Sequence, residues 1–208
     1  GYIEQYIASL PGDAKKKENY KNVAERPTGT VVNKFTKKME TPKAIARMYW
    51  YSTTAPYTLE NSILASAAGQ VLSKLYLQKI REEAGAAYSA GAAGSVQMVG
   101  DRVFTTLLGH CPMKPEMADE AIKIMREEAV AISKSVDEAT LNEIKAVMLK
   151  DADAAVKENS HWLGVYNMYV SRGIDTETDY KNIVKSLTPA KVAAFVKNVI
   201  LKAGNNVE

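Results

Sequence analysis

The sequence predicts an α+β fold in which helices pack on one face of a mainly antiparallel sheet. Segments rich in β-branched and aromatic residues fill the first half of the chain, one long amphipathic pattern interrupts them, and helical patterns follow from Pro115 onward. Strands followed by a run of helices are typical of this fold class. The 208 residues contain no fixed-period repeat and no low-complexity linker, so we expect residues 1–208 to form a single domain.

Three strands are predicted before the long amphipathic pattern. Residues 2–8 alternate like a strand, and residues 30–38 and 44–53 are rich in β-branched and aromatic side chains. We expect the last two to form an antiparallel pair, because turn residues separate them. The polar stretch 10–27, which contains the lysine triplet Lys15–Lys17, is predicted to be an exposed loop.

A long helix and a β-hairpin are predicted next. Apolar residues recur at helical spacing and form the stripe of a helix packed on a core: Leu59, Ile63, Ala67, Val71, Leu75 and Ile80. Gly85 is expected to end this helix in a left-handed conformation. Residues 102–111 read as a strand, and the preceding Gly100-Asp101 predicts a hairpin turn.

Four helices are predicted in the second half of the chain. The first covers residues 117–132, and a capping box at Ser135–Glu138 opens the second, which runs through Leu149 or beyond. The third covers residues 162–170, and Thr188-Pro189 opens the last. Gly204 then reads as a helix stop that is followed by the first residues of a new strand.

Composition and charge exclude several classes of function. The net charge of +3 does not suggest a dedicated nucleic-acid surface. A single cysteine, Cys111, excludes an internal disulfide and a zinc site built on cysteine pairs. No apolar run approaches the roughly 20 residues of a membrane span, and both ends look cut. We therefore expect a fragment of a longer, multi-domain protein.

The residues needed for independent catalysis are missing from the sequence. Neighbouring strand residues point to opposite faces, so His110 and Cys111 could not easily share a metal ion. Glu158 and His161 resemble half of a di-metal site whose second copy is absent, and His161 is expected to pack against Trp162 at the start of a helix. No nucleophile elbow or phosphate-binding glycine pattern occurs. We predict no catalytic residue and no metal site in this chain.

One polar pair stands out at the end of the long helix. Arg81 lies in the predicted last turn, Tyr88 lies on the segment that leaves Gly85, and both side chains are hydrogen-bond donors. Together they could hold and polarise a peptide carbonyl. The alternative is structural: Arg81 neutralises the negative end of the helix while Tyr88 packs in the sheet. Spacing alone leaves both interpretations open.

The segment from Arg81 to Ser89 resembles a motif of the non-catalytic domains of the pitrilysin/insulinase family of zinc metallopeptidases, the inverted-motif zincins. The resemblance extends over nearly the whole chain. It includes further short segments: Tyr6–Pro11, Leu108–Pro112, Glu158-Asn159, His161–Leu163 and Gly204-Asn205.

The resemblance implies a repeated α+β domain from an enzyme whose two halves enclose a peptide chamber. The zinc and its His-x-x-Glu-His motif would belong to the companion half, and this chain contains no such motif. Arg81 and Tyr88 would be the substrate-binding residues that reach the peptide backbone. The resemblance also implies companion domains, in the same chain or as a separate subunit, as partners. Its bacterial processing-protease-like members suggest a periplasmic location.

Two alternatives to this assignment remain at this stage. Some members of the family are catalytically inactive and serve as partner subunits or interaction scaffolds, so the parent of this chain could be one of them. The chain could also be an isolated peptide-binding module, which would bind extended peptides without a companion half.

Overall fold

The computed structural model describes residues 1–12 and 25–208. Its sheet has five strands in the order β1-β5-β2-β4-β3. Their bounds are β1 Thr30–Val31, β2 Ala44–Ser52, β3 Gly91–Val99, β4 Arg102–Met113 and β5 Asn205–Val207. Only the β1–β5 pair is parallel among these five strands. The predicted α+β class with a mainly antiparallel sheet is therefore confirmed.

Seven α-helices accompany the sheet in the described part of the chain. They are α1 Tyr2–Tyr6, α2 Leu59–Tyr76, α3 Ala118–Ala131, α4 Glu138–Ala155, α5 Asn159–Arg172, α6 Tyr180–Ser186 and α7 Pro189–Phe195. Helix α2 continues as a π-helical segment, Leu77–Glu83, and α7 continues as a second one, Val196–Ile200.

The hydrophobic core lies between one face of the sheet and the helices. Helix α2 contributes side chains that are almost completely buried, including Leu72 and Tyr76. Strand β4 contributes Leu107 and Cys111 on the face of the sheet that packs against the helices. Residues of α3, α4 and α7 close the core from the other side. The predicted placement of helices on one face of the sheet follows from this packing.

Helix α2 and strand β3 touch backbone to backbone. A Cβ atom added to Gly69 would lie 2.1 Å from the backbone nitrogen of Gly94, and one added to Gly94 would lie 1.8 Å from the carbonyl oxygen of Ala65. Only glycine permits such an approach, because it has no Cβ. These two glycines therefore set the distance between the long helix and the edge of the sheet.

Several predicted elements are confirmed. Gly85 ends the long helical stretch with φ +61°, and Gly100 has φ +62° in the turn of the β3–β4 hairpin. The Thr188 hydroxyl caps α7 by accepting from the backbone N–H of Lys191. Gly204, with φ +68°, precedes β5.

The N-terminal predictions are wrong in three respects. Residues 2–6 form α1 rather than a strand, because Tyr2, Ile3, Tyr6 and Ile7 fit helical spacing as well as alternation. The strand predicted at residues 30–38 is reduced to β1. It pairs with β5, which separates it from β2, so the expected antiparallel pair does not form. The lysine triplet Lys15–Lys17 lies outside the described residues.

Two helical predictions also need correction. The cap of α4 is Asp137 rather than Ser135, and its Oδ2 accepts from the backbone N–H of Thr140 at 2.7 Å. This contact lowers the pKa of the Asp137 carboxyl. Helix α6 was not predicted, because its seven residues carry too little periodicity to identify a helix.

Candidate functional site

The candidate site begins where α2 changes to π-helical geometry. The segment Leu77–Glu83 continues α2 without a break and carries Arg81 on its exposed side. In residues 1–12 and 25–208, the Arg81 guanidinium forms no hydrogen bond or ion pair, so its donors face solvent.

The turn after Arg81 is fixed by buried backbone. The backbone N–H of Ala86 donates to the carbonyl oxygen of Ile80 at 2.9 Å, and that of Ala84 donates to Lys79 at 3.0 Å. Ile80 and Ala86 have exposed fractions of only 0% and 1%. This is the hydrophobic contact across a left-handed glycine that is common at helix ends. The turn is therefore held by backbone hydrogen bonds and buried side chains, although Arg81 and Tyr88 on either side of it are exposed.

Tyr88 lies between this turn and the sheet. Its neighbour Ala87 forms an isolated antiparallel bridge with Met113, and β3 begins only at Gly91. Tyr88 thus precedes the strand on which it was expected. Its side chain is 89% exposed, so it does not pack in the sheet as the structural alternative required. Arg81 and Tyr88 are both at the surface, and no hydrogen bond joins them.

One buried and one partly buried contact tie the end of α2 and the π-helical segment to α3. The Tyr76 hydroxyl donates to the carbonyl oxygen of Met125 at 2.7 Å, and Lys79 Nζ lies 2.5 Å from Glu128 Oε1. Burial raises the pKa of the Tyr76 phenol far above its ordinary value, so it stays a donor. The hydrogen bond to Glu128 raises the pKa of Lys79. The helix end that carries Arg81 is therefore anchored from its inner side.

The histidines and the cysteine do not come together. Cys111 is fully buried in the core, where burial raises the pKa of its thiol to about 11. His110 is half-buried and lies on the opposite face of β4. His161 packs edge-on against Trp162, with 5.2 Å between ring centroids, as predicted, and its Nε2 lies 2.9 Å from Glu177 Oε2.

Zinc does not fit the residues of this chain that the structure describes. Over residues 1–12 and 25–208, no group of three or more His, Cys, Asp or Glu side chains is placed to hold a metal ion. A catalytic zinc needs about three protein ligands. The same residues include no helix that is long and apolar enough to cross a membrane.

One polar contact on the face of the sheet opposite the core was not predicted. The Arg26 guanidinium lies 4.2 Å from the ring centroid of Phe104 and 5.4 Å from that of Tyr51, and it donates to Thr106 Oγ1 at 3.2 Å. Burial raises the pKa of Tyr51, whose hydroxyl has no hydrogen-bond partner among the described residues. No local signal in the sequence marks Arg26, because its partners Tyr51, Phe104 and Thr106 lie 25 to 80 residues away.

The fold and the site define an α+β domain with two exposed donors, Arg81 and Tyr88, on either side of a helix-end turn; neither forms a hydrogen bond or ion pair in residues 1–12 and 25–208. A family profile described as the Peptidase M16 inactive domain matches residues 1–148. The chain belongs to this family, the inactive domains of the pitrilysin-type zinc proteases, and the resemblance stated from the sequence is confirmed. No curated protein matches the chain significantly.

Solved structures share this fold at low identity. The periplasmic protease PqqL from Escherichia coli is 21% identical with a TM-score of 0.76, and the match covers 99% of this chain and 23% of that one. The ferredoxin protease FusC, solved as a mutant in complex with Arabidopsis ferredoxin, is 17% identical with a TM-score of 0.72, covering 99% and 22%. Pitrilysin is 13% identical with a TM-score of 0.57, covering 86% and 19%. The chain thus spans less than a quarter of each of these proteins.

Proposed function

We propose that this chain is the substrate-contacting, non-catalytic domain of a zinc-dependent endopeptidase. In this proposal Arg81 and Tyr88 bind the backbone of a peptide that lies against the metal centre of a companion domain. The observation that carries the proposal is that both donors are exposed on either side of the turn at Gly85 and that neither forms a hydrogen bond or ion pair within residues 1–12 and 25–208. Family membership supports the same division of roles.

The chemistry of the two side chains suits a peptide carbonyl. A guanidinium is always charged and offers five N–H donors, while a phenol offers one O–H donor. Donors that are aimed at a developing oxyanion stabilise the transition state more than the ground state. Since neither side chain has a hydrogen-bond partner in the described part of the chain, a bound peptide would not have to break such a contact there to reach them.

The companion domain would supply the metal and the attacking water, in the same chain or as a separate subunit. Closure of two bodies around a peptide excludes water and strengthens the hydrogen bonds to the carbonyl. A periplasmic location is part of the proposal, and it is supported by the similarity to PqqL, a periplasmic protease.

The test uses the full-length parent and a peptide substrate. We expect Tyr88→Phe and Arg81→Ala each to lower kcat by about 10²-fold, with zinc content and circular dichroism unchanged. Arg81→Lys keeps the positive charge but replaces the planar guanidinium by an ammonium group, so we expect a smaller loss of kcat than in Arg81→Ala. Tyr2→Phe is the matched control, because Tyr2 is 82% exposed and lies in α1.

The outcomes separate the proposal from its alternatives. Unchanged kcat in Tyr88→Phe and Arg81→Ala would refute the roles given to these residues. A parent that lacks peptidase activity but still requires this domain for assembly would indicate the partner-subunit or scaffold function. Affinity of the separate chain for extended peptides, equal to that of the parent, would indicate a peptide-binding module.

A further inference from the structure

Arg47 and His110 lie side by side on the face of the sheet opposite the core, which we call the outer face. The antiparallel register of β2 and β4 sets Arg47 directly opposite His110. Ala46 and Met48 on β2 and Cys111 on β4 belong to the core. Since successive strand residues point to opposite faces, Arg47 and His110 project from the outer face. Directly opposite residues have Cβ atoms about 5 Å apart, so both side chains can contact one ligand.

The imidazole of His110 has one nitrogen that is buried without a partner. His110 Nδ1 forms no hydrogen bond in residues 1–12 and 25–208, whereas Nε2 is not buried. A neutral imidazole carries its proton on one of the two nitrogens. A buried N–H that finds no acceptor is unfavourable, so we expect the proton on Nε2. His110 then presents an N–H donor at its accessible end. The residue opposite His110 on β3 is Gly91, which has no side chain to supply an acceptor.

The outer face lacks acidic side chains that could balance Arg47. Strands β2, β3 and β4 contain no aspartate and no glutamate. Arg47 is exposed and forms no hydrogen bond or ion pair in the part of the chain that the structure describes. Arg126 on α3, by contrast, is paired with Glu208. A guanidinium next to an imidazole N–H suits a carboxylate, whose two oxygens accept several hydrogen bonds at once.

The pair is close along the sheet to the proposed peptide-binding residues. Ala87 forms a bridge with Met113 at the end of β4, and Tyr88 follows Ala87. His110 precedes Met113 by three residues on the same strand, which is about 10 Å at the rise of a β-strand. An extended peptide advances by a similar distance per residue. A peptide bound at Tyr88 would therefore bring a side chain about two to four residues away to His110.

We propose that Arg47 and His110 form a subsite for the carboxylate of an aspartate or glutamate in the peptide substrate. Arg47 supplies the positive charge and two N–H donors, and His110 Nε2 supplies a third donor. An acidic occupant follows from the uncompensated charge of the outer face. The inference rests on the proposed function, because it requires a peptide at Arg81 and Tyr88. It adds a substrate class to that function: extended peptides with an acidic residue about two to four positions from the bound carbonyl.

The test measures peptide affinity by isothermal titration calorimetry in the full-length parent, with zinc removed by a chelator so that the peptide is not cleaved. The probes are extended peptides that are capped at both ends and otherwise uncharged. One glutamate is moved through successive positions, and each peptide is compared with its glutamine counterpart. We expect glutamate to bind about 10-fold more tightly than glutamine within a window of one or two positions, because hydrogen bonds to an ionised group are the stronger ones.

Variants of the parent locate the source of this preference. Arg47→Gln should reduce the preference for glutamate to less than about 2-fold and leave the affinity for the glutamine peptide unchanged. Lys150→Gln is the matched control, because it removes one positive charge from an exposed position of α4, and it should keep the full preference. His110→Leu should lower the preference several-fold, whereas His110→Gln keeps an N–H donor near the position of Nε2 and should retain part of it. Circular dichroism checks the fold of each variant.

Two results would overturn the proposal. One is equal affinity for the glutamate and glutamine peptides at every position. The other is a preference that persists in a folded Arg47→Gln or His110→Leu variant. In the zinc-loaded parent, Tyr88→Phe should lower kcat for both peptides by the same factor. An unchanged kcat in Tyr88→Phe, with the preference lost in Arg47→Gln, would refute only the role of Tyr88. A lowered kcat without any glutamate preference would refute only the subsite.

Discussion

Replacement of Gly94 by alanine tests the backbone contact between α2 and β3. The new Cβ would lie 1.8 Å from the carbonyl oxygen and 2.6 Å from the carbonyl carbon of Ala65. Both are backbone atoms in the middle of α2, so neither can rotate away. The substitution can be accommodated only if the helix and the strand separate.

The size of the effect follows from the required separation. Ordinary contact begins near 3.4 Å, so α2 and β3 would have to move apart by more than an ångström locally. A gap of 0.5–1 Å already loses about a quarter to a half of the dispersion energy of the atoms that line it. Because α2 is the central core element, we expect a loss of about 3 kcal/mol or more. For a chain of this length that lowers Tm by roughly 6–12 °C.

The matched control is Gly164→Ala, which is the same chemical change in open space. Both substitutions reduce the entropy of the unfolded chain similarly, so their difference isolates the contact. Gly164→Ala should raise the free energy of unfolding by up to about 1 kcal/mol. Urea unfolding of the 208-residue chain, followed by far-UV circular dichroism, gives both values. A urea midpoint for Gly94→Ala at or above that of the unchanged chain would refute the reasoning.

Two further predictions concern the anchoring of the helix end that carries Arg81. Tyr76→Phe removes the buried hydrogen bond to the Met125 carbonyl oxygen, which keeps only its bond within α3, so the free energy of unfolding from urea titration should fall by about 0.5–1.5 kcal/mol. Lys79 has a pKa raised above 10.5 by its hydrogen bond to Glu128, so its contribution to stability is complete below pH 10.5 and is lost as the pH rises through the raised folded value. Lys79→Gln should make Tm less dependent on pH in this alkaline range, and an unchanged dependence would contradict the assignment.

The elements that could be predicted from the sequence are those specified locally. Helix α2 has 18 residues of continuous periodicity, and Gly85 and Gly100 both adopt the positive φ that their turns require. The β1–β5 pair could not be predicted, because it joins Thr30 to Asn206 across the whole chain. The short helices α1 and α6 are ambiguous for the opposite reason: each is too short for the helical period to be distinguished from alternation or from a loop.

In the candidate site too, features set by neighbouring residues could be predicted, and features set by distant residues could not. Arg81 and Gly85 could be placed at a helix end because the charged run and the glycine are adjacent in sequence. The exposure of Tyr88 could not be predicted, since it depends on β3 starting three residues later. The contacts of Tyr76 and Lys79 with α3 each join residues that are 49 positions apart, so no local sequence pattern predicts them.

The α2–β3 contact also bears on the geometry of the proposed site. Arg81 lies in the segment that continues α2, and Tyr88 lies three residues before β3. The Gly69–Gly94 contact between α2 and β3 therefore helps to set the distance between the two donors. Functional groups must be held within about 0.5 Å of their productive positions. The separation that Gly94→Ala forces exceeds this tolerance. The substitution should therefore lower peptide turnover by the parent even at temperatures where the domain stays folded, whereas Gly164→Ala should change stability without this loss if the donors act as a pair.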